Sequence, residues 1–161
     1  MNTFRYSPTS SSSISWRKVT LEVIVFLCVL LFVYAALSKL IAVGKFEAQI
    51  EPSPLIGSLA PFVVWAVPIW ELLVATCLMI PRLREAGFYA FWTTMLLFTL
   101  YILYIIFFSP TLPCSCGGIL EKMGWGDHLV FNILFLGLAT WGIALHRKQS
   151  KSTTRGTNRS D

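Results

Sequence analysis

Charged side chains are scarce in this sequence, and their scarcity restricts the classes of protein to which it can belong. They make up 13% of its 161 residues, while 55% of the residues are hydrophobic. Soluble domains carry about 25% charged residues, and small ones bury only roughly two-thirds of the surface that the unfolded chain exposes. A soluble fold would therefore leave too much apolar surface in water. This excludes a soluble enzyme, a disordered protein and a nucleic-acid-binding module.

The sequence also lacks the alternating segments, about ten residues long, that are typical of membrane β-strands. It has instead four long apolar runs, and about 20 helical residues cross a hydrocarbon layer roughly 30 Å thick. Each run is apolar around the whole helix, as membrane spans are. We therefore predict an all-α protein, an integral membrane four-helix bundle, with spans at residues 19–43, 59–80, 86–108 and 129–145.

Polar segments flank this membrane domain of residues 19–146. Residues 1–18 include a serine-rich stretch, and residues 147–161 are polar and basic. Neither segment has enough apolar residues to form a core, so we predict disordered tails at both ends.

The basic residues are distributed unevenly between the two sides of the predicted bundle. Ten lie in the tails and in the short loop between the second and third spans, and three lie on the other side, which accounts for all 13. Because positive charge marks the cytoplasmic side, we expect both termini to be cytoplasmic and the loops at residues 44–58 and 109–127 to face outward. In a bacterium this is the inner (cytoplasmic) membrane, with the longer loop in the periplasm. The net charge of +5 then reflects orientation and attraction to the lipid bilayer, and no nucleic-acid partner is needed.

This topology gives the four cysteines different surroundings. Cys28 and Cys77 lie within the first two spans, where a cysteine usually serves as a small buried apolar residue. Cys114 and Cys116 lie in the outward loop, and disulfides form and persist in an oxidising periplasm. The outward pair is therefore the candidate for chemistry.

Several interpretations of the Cys114–Cys116 pair stay open. A disulfide between residues i and i+2 closes a very small ring, and departure from preferred disulfide geometry makes the bond easier to reduce. A labile, accessible disulfide is typical of catalytic thiol–disulfide exchange. Reduced thiols could instead bind a soft metal such as Cu(I). Each cysteine could also pair with a different cysteine, or both could be inert within a structural turn.

A histidine follows this loop at the start of the fourth span. His128 is predicted at the outer membrane surface, and Asn132 follows at i+4 on the same helix face. A histidine near a thiol accepts its proton or favours the thiolate, so His128 joins Cys114 and Cys116 as a candidate catalytic residue. The alternative is that His128 is a polar anchor at the membrane surface.

Glu71 is predicted at the centre of the second span, where a carboxylate costs about 2.5–3.5 kcal/mol to insert. Lys39, in the outer part of the first span, is its expected partner. Glu71 lies roughly 18 Å from the outer end of its helix at 1.5 Å per residue. We therefore expect the two to meet only if the first helix continues outward past Val43. The pair is either a structural ion pair or a proton or ligand site.

These segments follow one another in an order that resembles a known family. They are Tyr34–Leu40, Pro68–Leu72, Phe98–Ile102, Cys114–Gly118 and the His128/Asn132 pair. Together they resemble the MauE family of methylamine-utilisation membrane proteins, within the wider DoxX-like group, over roughly residues 20–145. The resemblance implies a four-helix membrane bundle. It also implies a part in maturation, processing or transport of the disulfide-rich small subunit of methylamine dehydrogenase, alongside a thioredoxin-like periplasmic partner.

Two functions are compatible with these residues. In the first, Cys114 and Cys116 exchange disulfides with a thioredoxin-like protein, and the chain is at most a thiol–disulfide exchange component. In the second, it is a non-catalytic membrane assembly subunit, or a carrier of a small solute, organised around Glu71 and Lys39. No metal-ligand set and no cofactor motif is evident in the sequence. A quinone or Cu(I) would suit redox chemistry, but no residue pattern points to either.

The orientation and the oxidation state of the outward loop are measurable together. We expect a membrane-impermeant maleimide to label Cys114 and Cys116 in intact cells only after reduction, because the pair faces an oxidising compartment. Labelling is read by mass spectrometry of the loop peptide before and after a reductant. No labelling in either state would contradict the outward, accessible loop.

Overall fold

A computed structural model describes residues 16–53, 56–108 and 125–157. Over these residues the fold is entirely helical, which confirms the predicted all-α class. The helices are α1 (Trp16–Ile41), α2 (Val43–Ile50), α3 (Ala60–Met79), α4 (Arg84–Phe108) and α5 (Trp125–Thr157), with a 3₁₀ turn at Gly57–Leu59. The predicted N-terminal tail up to residue 15 and residues 109–124 of the outward loop, which hold Cys114 and Cys116, lie outside the described residues.

Helices α1, α3, α4 and α5 are long and apolar enough to cross a membrane, which confirms the four predicted spans. Their ends differ from the predicted ends by no more than four residues, except where α5 extends well beyond residue 145. These helices are apolar around most of their circumference, and large side chains such as Phe26, Phe62 and Leu134 stay exposed on the bundle surface. Such a surface is suited to lipid rather than to water.

Two helical segments depart from the sequence prediction. The outward loop at residues 44–58 contains α2, whose residues Val43, Phe46 and Ile50 recur at i, i+3 and i+7. At the other end of the chain, residues 147–157, predicted as part of a disordered tail, continue α5 as helix. No proline and no glycine interrupts residues 143–155, so the helix continues past the apolar span without a break.

The four long helices are arranged as a square, in which α1 and α4 each pack against both α3 and α5. The centre is filled by large side chains, and the Phe32 ring of α1 lies 4.3 Å from the Phe91 ring of α4 across the diagonal. Phe135 of α5 lies 6.4 Å from Phe91. This dry aromatic layer divides the bundle into two ends.

We call these the tail end, where α1 and α4 begin, and the loop end, where α4 ends and α5 begins. At the tail end Arg84 donates to Glu22 at 2.7 Å, and Arg147 lies 3.4 Å from Glu85. These pairs tie α1 to α4 and α4 to α5, and most of their side chains are exposed. The two ion pairs that connect the helices at the tail end are therefore accessible to water.

Close helix packing depends on a glycine in α5. A Cβ at Gly142 would lie 2.6 Å from the ring of Phe88 and 3.2 Å from Ile24. Phe88 is fully buried, so its ring has no free space into which it can move. Gly137, also in α5, has no atom within 4 Å of the corresponding position and provides a matched control.

We expect Gly142→Ala to lower the free energy of unfolding by about 1–3 kcal/mol because it overpacks the core. Gly137→Ala is expected to be neutral or to stabilise the helix by up to about 1 kcal/mol. Thermal unfolding of both purified variants in detergent gives the comparison. Equal effects of the two substitutions would show that the close approach at Gly142 is not limiting.

Candidate functional site

The site is built around a carboxylate in the middle of α3. Glu71 is 1% exposed, and it is the one charged residue among the fully buried ones in the described parts of the chain. Pro68 lies in the helix three residues earlier and is also buried. Because proline has no N–H, it leaves the carbonyl of Val64 without its helical donor. The middle of α3 thus contains a carboxylate and a carbonyl without its helical donor, which are unusual polar groups for a membrane span.

Lys39 of α1 neutralises this carboxylate. Its Nζ donates to Oε1 and Oε2 of Glu71 at 2.8 and 3.1 Å, and to the backbone carbonyl of Ala35 at 3.2 Å. These three contacts match the three N–H groups of an ammonium. The structure therefore brings together two of the site residues that the sequence singled out.

The way in which Lys39 reaches Glu71 differs from the expectation. The sequence required the first helix to continue outward past Val43, but α1 ends at Ile41 and Ala42 has non-helical backbone angles. Side chains on a helix lean toward its N-terminus. The Lys39 side chain accordingly folds back one turn to the carbonyl of Ala35. It meets Glu71 by pointing into the bundle, with no need for a longer helix.

Aromatic rings cover the ammonium group of Lys39. The ring of Phe46 in α2 lies 5.8 Å from Nζ, and the ring of Phe98 in α4 lies 6.0 Å from it. Such contacts favour a cation over the ring faces and limit access of water. Neither residue was predicted as a site residue, although Phe98 begins one of the segments that carry the family resemblance. For Phe46 the available signal was the helical spacing of apolar residues in α2.

A side-chain hydrogen bond fixes the depth of α4 against α3. Trp70, adjacent to Glu71, donates from Nε1 to the hydroxyl of Thr94 at 2.9 Å. The Thr94 hydroxyl in turn donates to the carbonyl of Ala90 at 2.8 Å. This bond places Glu71 and Thr94 at the same level of the bundle, and neither Trp70 nor Thr94 was predicted as a site residue.

Asn132 lies at this level on α5. On α5, Asn132 lies one helical turn from Phe135 toward the loop end. On α4, Met95 lies one turn from Phe91 in the same direction. Both Asn132 and Met95 are buried. Asn132 is 3% exposed, and no described atom accepts a hydrogen bond from its Nδ2. Helices α3 and α5 occupy opposite corners of the square. Glu71 on α3 and the Nδ2 of Asn132 on α5 therefore lie on opposite sides of the bundle centre.

His128 stands one turn beyond Asn132, in the first turn of α5. It is half-buried. We call Lys39, Glu71, Thr94, Asn132 and His128 the polar layer. The four long helices all contribute to it, and it lies on the loop-end side of the aromatic core.

The cysteine loop is attached beside this layer. Residues 109–124, which contain Cys114 and Cys116, connect Phe108 at the end of α4 to Trp125 at the start of α5. Both attachment points are at the loop end, and only Gly126 and Asp127 separate Trp125 from His128. The contact predicted between His128 and a loop thiol falls on residues outside the described ranges, and it stays a prediction.

The other two cysteines belong to the packing of the helices. Cys28 is fully buried in the core, Cys77 is half-buried in α3, and both are free thiols. In the described ranges no group of three or more His, Cys, Asp or Glu residues could hold a metal ion. Those ranges omit Cys114 and Cys116, so the alternative of Cu(I) binding by the loop thiols lies outside the described residues.

Comparison with known proteins gives one result. The sequence model of the family described as methylamine utilisation protein MauE matches residues 17–145, which is well over half of the chain. The matched region includes the four spans, the polar layer and the cysteine loop. No curated protein and no solved structure gave a significant match to the chain.

Breaking the buried ion pair is expected to destabilise the bundle far more than breaking an exposed one. Glu71→Gln or Lys39→Met should each lower the free energy of unfolding by about 3–5 kcal/mol, because each leaves its partner buried and unpaired. The double variant Lys39→Met/Glu71→Leu should recover most of that loss. Unfolding in mixed detergent micelles measures all three variants.

The control for this experiment is the pair at the tail end. Because Glu22 is largely exposed, Glu22→Gln should cost about 0–1 kcal/mol. Equal losses for Glu22→Gln and Glu71→Gln, or no recovery in the double variant, would contradict a tightly coupled pair at Lys39 and Glu71.

Proposed function

Because this chain belongs to the MauE family of methylamine utilisation proteins, we propose that it supports thiol–disulfide exchange during maturation of a periplasmic, disulfide-containing enzyme of the methylamine dehydrogenase type. The observation that carries this proposal is the Cys114–Cys116 pair, in a loop that leads into a helix whose first turn contains His128. Two thiols this close in sequence can form a disulfide and release it again.

The exchange uses only the sulfur atoms of the loop and of a partner. The thiolate of one loop cysteine attacks a disulfide of a thioredoxin-like protein, and a mixed disulfide forms as one thiolate leaves. The second loop cysteine then attacks the mixed disulfide. The loop loses two electrons and two protons and gains an S–S bond, while the partner disulfide becomes a dithiol. The reverse sequence delivers reducing equivalents from the partner to the loop.

The location of the polar layer supports this chemistry. A histidine beside a thiol accepts its proton as the thiolate forms, and His128 lies three residues after the last anchor of the loop, Trp125. The membrane helices hold this anchor in place, because α5 packs against both α1 and α4. The bundle therefore fixes the backbone at both ends of the loop, where α4 ends and α5 begins.

The proposed orientation places both tails in the cytoplasm and the cysteine loop in the periplasm of a bacterial inner membrane. Four spans bring both ends of the chain to the same side, and ten of the 13 basic residues lie on that side. Thioredoxin-like partners and disulfide-rich clients occupy the oxidising side of this membrane, which is the side assigned to the loop.

A second candidate function is a non-catalytic assembly subunit or a carrier of a small solute. Its supporting observation is the buried Lys39–Glu71 pair, since intramembrane ionisable residues often mark the paths of ions and solutes. In that case Glu71→Gln would abolish function, while the loop cysteines would be dispensable.

The test of the first function replaces the loop thiols. We expect a Cys114→Ser/Cys116→Ser variant to reduce maturation of the client dehydrogenase to background, because no exchange takes place without the sulfur atoms. Maturation is measured as client disulfide content and dehydrogenase activity in cells that carry the variant.

The matched control is Cys77→Ser, which removes a half-buried thiol from α3 and should leave maturation intact. Membrane levels of each variant are quantified by immunoblot so that misfolding is recognised. Full maturation with both loop cysteines replaced would overturn thiol exchange and favour the assembly or carrier function.

A further inference from the structure

Helix α2 covers the Lys39–Glu71 pair near the loop end. The ring of Phe46 in α2 lies 5.8 Å from the Nζ of Lys39, which is two residues from the end of α1. The side chain of Glu71 is 1% exposed and that of Lys39 is 12% exposed. The accessible part of this buried pair therefore belongs to the residue that α2 covers.

The composition of α2 places it at the membrane surface. Its eight residues include Lys45, Glu47 and Gln49, which makes it too polar to lie within the hydrocarbon layer. Lys45 is exposed, whereas Ile50 is buried. An amphipathic helix of this kind lies at the interface, with its polar face in water and its apolar face against the membrane domain. Helix α2 consequently separates the ion pair from the aqueous phase.

The position of α2 depends on a small number of tertiary contacts. Ala42, which lies between α1 and α2, has a φ of −118° and a ψ of 45°, so α2 is not a rigid extension of α1. Helices shorter than about 12 residues are marginal by themselves, and Gly44 lowers the helix propensity of α2 further. Ile50 is the one fully buried residue of this helix.

A side-chain hydrogen bond connects the end of α2 to α4. The hydroxyl of Tyr101 donates to the hydroxyl of Ser53 at 3.0 Å. The N–H of Ser53 in turn donates to the carbonyl of Ile50, the last residue of α2, at 2.8 Å. The Tyr101–Ser53 bond thus acts on α2 through the backbone, whereas Phe46 covers Lys39 directly.

We propose that α2 is a lid, which moves about Ala42 to admit water and small water-soluble molecules to the Lys39–Glu71 pair, and that the Tyr101–Ser53 hydrogen bond holds this lid closed. In the closed position the Phe46 ring lies against the ammonium group. In the open position the ring leaves Lys39, and the ammonium contacts water. The proposal goes beyond thiol exchange and does not depend on the loop cysteines.

The aromatic core closes the pair in the opposite direction, toward the tail end. The ring of Phe32, which is 1% exposed, lies 4.3 Å from the ring of the fully buried Phe91. Protein interiors that are packed in this way contain few spaces large enough for water. Opening of the lid therefore gives the ion pair access to the aqueous phase at the loop end alone.

The test measures how fast Lys39 reacts with a water-soluble amine reagent. The full-length chain is placed in lipid nanodiscs, and acetylation by sulfo-N-hydroxysuccinimide acetate is followed by mass spectrometry of the peptides. Lys45, which is exposed on α2, gives the rate for an accessible lysine at the same end of the bundle. We expect wild-type Lys39 to react more slowly than Lys45, because the reagent reaches Lys39 only through local opening.

Tyr101→Phe and Ser53→Ala should each raise the acetylation rate of Lys39 about 2- to 10-fold, which is the effect of losing one hydrogen bond on the opening equilibrium. The double variant should give no further increase, because both substitutions remove the same bond. Phe46→Ala should also raise the rate, since it removes the ring over the ammonium. The rate for Lys45 should stay constant in all of these variants.

Each substitution has a matched control. Tyr89→Phe also removes a tyrosine hydroxyl from α4, but it lies 12 residues before Tyr101, or about 18 Å at 1.5 Å per residue. Phe62→Ala removes a ring that is 71% exposed on the bundle surface. Both controls should leave the acetylation rate of Lys39 at its wild-type value.

Three results would overturn the proposal. The first is a wild-type Lys39 that reacts as fast as Lys45. The second is a rate that rises in Phe46→Ala but not in Tyr101→Phe or Ser53→Ala, which would show that α2 is a fixed cover. The third is a rise in Lys39 acetylation that occurs only together with maleimide labelling of the fully buried Cys28, since this reports unfolding of the bundle. None of these results bears on thiol exchange, which is tested separately at the loop cysteines.

Discussion

A hydrocarbon layer does not solvate charge, and the loop end of this bundle is organised by that constraint. A lone carboxylate in the middle of α3 would carry a penalty of several kcal/mol, so Glu71 requires an opposite charge inside the protein. Lys39 supplies it through two hydrogen bonds and completes its own coordination with the carbonyl of Ala35. The surrounding groups follow from this pair, since the rings of Phe46 and Phe98 lie against the ammonium.

The same constraint makes the two ends of the bundle chemically different. At the tail end the ion pairs of Glu22 and Glu85 are largely exposed, so water screens them and they contribute little to stability. At the loop end the charges are buried beneath the attachment points of the cysteine loop. Electrostatic effects there are strong over short distances, because little water screens the buried charges.

Much of this arrangement could be predicted from the sequence because it depends on local composition. Apolar runs of membrane-spanning length identified four helices to within a few residues at most of their ends, and the rarity of charge within them identified Lys39 and Glu71. Helix α2 was not predicted because its eight residues follow the first span almost without a break. Residues 147–157 were predicted as a tail from their polarity, but a polar segment can extend an existing helix when no proline or glycine interrupts it.

The sequence by itself determined that this protein is an all-α membrane bundle of the MauE family and that its unusual residues lie near one end. Only the tertiary structure decided how those residues meet. The inward fold of Lys39, the bond from Trp70 to Thr94 and the position of the Asn132 Nδ2, which has no partner among the described residues, depend on the relative depth and rotation of helices that are distant in sequence. Depth and rotation are set by side-chain packing, such as that of Phe32 against Phe91. Hydrophobicity makes a helix enter the bilayer, but it does not specify which neighbour each side chain will contact there.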